Sequence, residues 1–186
     1  MPRLDQFSKF VQSLTPQKLN EPKSFKEAKM PSTTTERSEP ITFEIPEYVK
    51  LMDFPKIESQ FVAILGHDHV NRGMIASPYH TRCIQQGEIH ELVYVYENEE
   101  GLIDLNDAWY LGFIEFKESC VLAKGMAAEI DGEEIGTLIG FDTTHVPNHF
   151  NILIASKTPH TGTSRGIKIK DKCFFEMTPK RGFSNQ

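Results

Sequence analysis

The chain has 186 residues, 39% of them hydrophobic and 25% charged, which is enough for one core of ordinary size and lies outside the composition of disordered chains. Its formal charge of −6 is uneven: residues 82–142 carry fourteen acidic against three basic side chains, and residues 157–181 seven basic against two acidic. An acidic middle excludes a nucleic-acid stripe over the whole surface, and no apolar run reaches the ~20 residues that span a bilayer. The expectation is a cytoplasmic protein without nucleic-acid or membrane partners.

Residues 1–40 read as a flexible arm. Leu4, Phe7, Phe10, Val11 and Leu14 recur at three- and four-residue spacing, so one short amphipathic helix is expected there, ended by Thr15-Pro16 and able to dock on a protein partner through residues 4–14. The following stretch to residue 40 is rich in Pro, Ser, Thr, Lys and Glu without periodicity, the composition of a linker.

From residue 41 the pattern changes to short runs of Val, Ile, Phe and Tyr broken by turn residues. ITFEI, QFVAIL, GMIAS, ELVYVYE, AWYLGFIEF, CVLAKGMAAEI, IGTLIGF, FNILIAS and GIKIKDKCFFEM each read as strands. Glu100-Gly101 and Asp131-Gly132 give hairpin signals between them. Short strands joined by tight turns predict an all-β domain over residues 41–180, a small antiparallel barrel or sandwich of about eight strands, followed by a tail at 181–186. The closing strand is expected to pair near the first. A homodimer is compatible with this reading and is not required by it.

Candidate chemistry collects at strand ends, where a barrel gathers its ligand site. In GFDTTHVPNHFNILI, residues 140–154, Gly140 and Pro147 restrict the backbone of a turn, and Asp142 is close enough to His145 to orient its imidazole. Beyond Pro147 the alternation sends Asn148 and His149 to opposite faces. A structural reading, in which these side chains only bond the backbone of the turn, competes with a pocket in which His145 and Asp142 move a proton, His149 or His80 is the complementary acid, and Asn148 donates to a developing oxyanion. In SPYHTRCIQQGEIHELVYVYE, Arg82 has the fork geometry to hold an anionic group, and Tyr79 and His90 supply further polar contacts. The plain alternative there is a surface pair between Arg82 and Glu88. His90 and Glu91, adjacent on one strand, cannot both point inward.

His67-Asp68-His69 puts two imidazoles on one side of an extended chain. That step resembles the His-x-His of cupin barrels, which implies a mononuclear metal site at His67 and His69; the sequence continues VNRGMIA, without the Glu that the cupin pattern places next. His145 and His149 with Asp142 form a second two-His, one-carboxylate grouping. The cysteines Cys83, Cys120 and Cys173 are widely separated and read as structural thiols. No G-x-S-x-G elbow or phosphate-cradling glycine loop occurs, and TGTSRG at 161–166 is expected to lead into a strand. The sequence therefore predicts a small-molecule lyase, isomerase or cyclase without an organic cofactor, with a divalent transition metal as an open addition. A non-enzymatic ligand-binding or accessory protein and a cupin-like metalloenzyme are the alternatives.

Overall fold

A computed structural model describes residues 37–177. The arm helix, the docking segment 4–14 and the tail at 181–186 lie outside the described residues. Within them the chain forms strands β1 (Ile41–Thr42), β2 (Ile57–Ile64), β3 (Asp68–His69), β4 (Thr81–Ile84), β5 (Ile89–Glu97), β6 (Leu102–Phe116), β7 (Cys120–Ala123), β8 (Met126–Ile130), β9 (Glu133–Asp142), β10 (Asn151–Ser156) and β11 (Lys172–Met177), with one-turn helices α1 (Glu47–Lys50) and α2 (Gly162–Arg165). Seven of the strands close a barrel in the order β6-β2-β11-β8-β9-β10-β5 and back to β6. All its pairings are antiparallel except that of β5 with β10, which run parallel. β4 and β7 pair separately as a two-stranded ribbon.

The barrel is filled by alternate residues of every strand. Phe61, Leu92, Ile114, Met126, Leu138 and Phe175 belong to the inner cluster, each removed from water and worth roughly 1.5–3 kcal/mol in transfer terms. The intervening residues Val93, Val95, Tyr110, Ile139 and Leu153 form a second apolar cluster with Met74. Because side chains alternate across a strand, this second cluster stands on the outer face of β5, β6, β9 and β10. A barrel sheet with both faces apolar explains why these strands read as nearly continuous hydrophobic runs.

The Asp131-Gly132 hairpin forms as expected: both residues have positive φ, 52° and 82°, the twist that a two-residue turn between β8 and β9 requires. The closing strand β11 pairs with β2, near the start of the domain. Several local readings are corrected. ITFEI is a strand only at its first two residues, and Glu47–Lys50 forms a helix behind Pro46. GMIAS contributes a single bridge, Ala76 to Asp142. CVLAKGMAAEI divides at Lys124-Gly125 into β7 and β8. TGTSRG does not lead directly into a strand: Thr161 Oγ1 accepts the Ser164 N–H and starts α2, and Gly166 in the left-handed region ends it, so β11 begins only at Lys172.

Candidate functional site

The site starts from register. Phe113 on β6 pairs with Glu91 on β5, Glu91 with Asn151 on β10, and Asn151 with Asp142 on β9. Paired residues share a face, so Phe113, Glu91, Asn151 and Asp142 form a row across four neighbouring strands, in the outer-face series of Val93 and Leu153. Glu91, Asn151 and Asp142 are all buried, at 6%, 0% and 1% exposure.

The segment between β9 and β10 folds back over this row. It is held by its own backbone bonds, Val146 N to Thr143 O and Asn148 N to His145 O, and contains a cis Val146–Pro147 peptide. The His149 ring meets Phe113 edge-on at 5.1 Å, and the His145 ring stacks on His149 at 4.9 Å between centroids. His149 Nε2 stands 3.6 Å from Glu91 Oε2, beyond hydrogen-bond length, and is a buried nitrogen without a hydrogen-bond partner. Its other ring nitrogen, Nδ1, contacts the Asn148 side-chain amide at 2.8 Å. Asn148 therefore fixes the orientation of His149.

Asp142 does not orient His145 directly, contrary to expectation. Its carboxylate accepts from the Thr144 hydroxyl and N–H, from Asn151 Nδ2 at 3.1 Å and from Arg72 Nη2 at 3.3 Å. Arg72, from the loop after β3, carries the connection onward, with Nη2 3.4 Å from His145 Nε2. The tight turn leaves Asp142 pointing along the sheet row, and the imidazole is reached through the guanidinium.

Electrostatics separate the titrating groups. Burial pushes the Glu91 carboxyl up to about 7, with the Arg72 charge opposing and Asp142 reinforcing. Burial and the neighbouring His145 lower the His149 pKa. A carboxyl near neutrality thus faces a neutral imidazole, the arrangement of an acid–base couple. The same three side chains, Glu91, His145 and His149, have ligand atoms all within 4.8 Å of one another, so they could hold a divalent metal ion.

A cavity of about 600 Å³ opens beside His149 at the rim of the barrel, lined among others by Arg82, Glu88, His90, Phe113 and Asn148. His90 faces the inner side, as alternation requires: it stacks on Phe150 at 3.6 Å, contacts Glu88 Oε2 through Nε2 at 2.9 Å, and lies within 3.5 Å of the Phe150 N–H through Nδ1. Burial lowers its pKa. Both ring nitrogens are engaged, so His90 shapes the wall. The Arg82–Glu88 pair is not formed.

Other sequence candidates stand apart from this cavity. Tyr79 is exposed and lines a neighbouring cavity of about 250 Å³ with Arg82, Ser77 and Thr143. His80 faces Tyr48 of α1 edge-on at 6.1 Å and lines a hollow with Glu44 and Lys50. His67 stacks on Tyr110 at 4.4 Å, and His69 is exposed on β3; among the described residues the metal-capable group is Glu91, His145 and His149. Sequence reasoning left Glu91, Arg72, Phe113 and Asn151 out of the site. For Glu91 and Asn151 a signal existed: each is a polar residue at the head of a run that is otherwise apolar on both faces.

Fold and site together define a closed, seven-stranded β-barrel with a polar cluster under a loop at its rim. The chain belongs to the family of unknown function DUF6917, which matches residues 53–176. No curated protein and no solved structure matches it. Among the described residues no helix is long and apolar enough to cross a membrane.

Proposed function

We propose that the protein is a cytoplasmic small-molecule enzyme of the lyase, isomerase or cyclase type, moving a proton without an organic cofactor. One observation carries this reading: behind the cavity that His149 lines, a buried carboxyl with its pKa near 7 faces a buried, unpartnered imidazole nitrogen 3.6 Å away. A group titrating near the working pH can both take and return a proton. Glu91 and His149 are the proton-transfer pair, Asn148 orients His149, and Arg72 links the pair's support, His145, to Asp142. His145 thereby passes from leading base to the residue that packs and polarises His149.

The test is proton exchange. A panel of small oxo- and hydroxy-carboxylates and phosphorylated carbonyl compounds is incubated with the full chain in D2O, and loss of C–H signal is followed by NMR. Exchange of at least one member, reduced about a hundredfold or more in Glu91→Gln and in His149→Ala, supports the reading. It is rejected if no member exchanges, or if both variants match the wild type. Binding of a panel member without exchange favours the non-enzymatic ligand-binding alternative.

The convergence of Glu91, His145 and His149 favours a second reading, a metalloenzyme. Asp142 compensates the charge of Arg72, so an ionised Glu91 leaves one net negative charge for a divalent cation, and a His149 held by Asn148 at Nδ1 presents Nε2. Cobalt(II) titration separates the readings: a stoichiometric visible absorption band, lost in His149→Ala, supports the metal centre, and its absence in the wild type closes that branch.

A further inference from the structure

The cavity beside His149 contains a cation that proton transfer does not use. Arg82 projects from the ribbon strand β4, with its guanidinium carbon 4.2 Å from the centroid of the Phe150 ring. Its Nε is buried and has no hydrogen-bond partner, and among the described residues no acidic side chain pairs with it. Glu88, on the same wall, is engaged by His90. Arg82 also lines the smaller adjoining cavity, where Ser77, Tyr79 and Thr143 supply hydroxyl groups.

A guanidinium lying on an aromatic face keeps its N–H edge free for in-plane acceptors, and its fork matches the two oxygens of a carboxylate or phosphate. A buried N–H left without an acceptor is unfavourable, and an anion placed at this edge removes that penalty. Arg82, Phe113 and His149 line one cavity, so a molecule held by its anionic end at Arg82 would extend along Phe113 toward His149.

We propose that Arg82 is the anion-binding residue of the site and that the substrate is a small molecule bearing a carboxylate or phosphate group, the Arg82 fork taking two of its oxygens. This rests on the cavity assigned above and names the substrate class that cavity takes. Arg82 positions the substrate and takes no part in proton transfer.

The experiment is a titration of the uniformly 15N-labelled full chain, at fixed pH and ionic strength, with inorganic phosphate and separately with succinate, following the arginine Nε–H signals. The Arg82 signal is assigned by through-bond experiments and by its absence in Arg82→Gln. A saturable shift of that signal, with binding weakened about tenfold or more in Arg82→Gln and by less in Arg82→Lys, supports the proposal. Saturation by phosphate alone assigns phosphate esters, and by succinate alone assigns carboxylates. An Arg82 signal in the wild type that responds to neither anion overturns the proposal, whether or not Arg82→Gln folds. Unchanged affinity in a folded Arg82→Gln overturns it as well. Anion binding is read without turnover, so its failure leaves the Glu91–His149 assignment standing, and a failed exchange assay leaves this one standing.

Discussion

At the scale of single residues, the proposed acid–base couple has a measurable thermodynamic signature. The Glu91 carboxyl, held at about 7, ionises less readily in the folded chain than in the unfolded one. Its contribution to stability is therefore fully present below about pH 4.5 and is lost as pH rises through 7. Glu91→Gln mimics the protonated form and removes that loss. It should stabilise the protein at pH 8, by on the order of 2 kcal/mol, and leave stability at pH 4.5 nearly unchanged; thermal melts at the two pH values check this. His90 and His149 slope the other way: their lowered pKa values mean that stability falls as pH drops below about 6.5. Asp142, 1% exposed and bonded by Arg72, Asn151 and Thr144, is the structural keystone of the row. Asp142→Ala leaves the largely buried Arg72 charge uncompensated and should destabilise by about 3 kcal/mol, read by denaturant unfolding.

At the scale of elements, the long strand β6 bends where it must serve several partners. Its register with β2 shifts between Phe61 and Ala63, and with β5 between Leu92 and Val93; Gly112 sits at this bend. A Cβ there would lie 2.2 Å from the Ala63 carbonyl oxygen, a backbone atom that cannot turn aside. Gly112→Ala should destabilise by about 2–4 kcal/mol and disturb the neighbouring Phe113, measured as a lowered unfolding midpoint together with weaker ligand binding. Elements of this kind were unevenly legible in the sequence. Strands with β-branched and aromatic runs, and the hairpin at Asp131-Gly132, announce themselves locally. The ends do not: GIKIKDKCFFEM alternates like a strand from Ile167, yet Lys170 has φ 79° and the chain turns there, a choice made by tertiary context. The polar turn from residue 142 to 149 was visible as a candidate site, because polar residues were concentrated before a buried strand.

At the scale of the whole molecule, closure of the barrel was readable as a class, and its strand order was not, because pairing depends on residues far apart in sequence. That is why Arg72 and Phe113 escaped notice: nothing near them in the chain marks them, and only register and a returning loop bring them to Glu91. The same fact has a kinetic consequence. The row is drawn from residues 91, 113, 142 and 151, and its central contact, Glu91 to Asn151, crosses the parallel seam of β5 and β10. Until that seam forms, no fragment of the chain possesses the site. A ligand held there would recognise only the closed ring and would act as a latch on this seam. Saturating ligand should slow unfolding in denaturant while leaving refolding nearly unchanged, as expected for an interaction absent from the transition state.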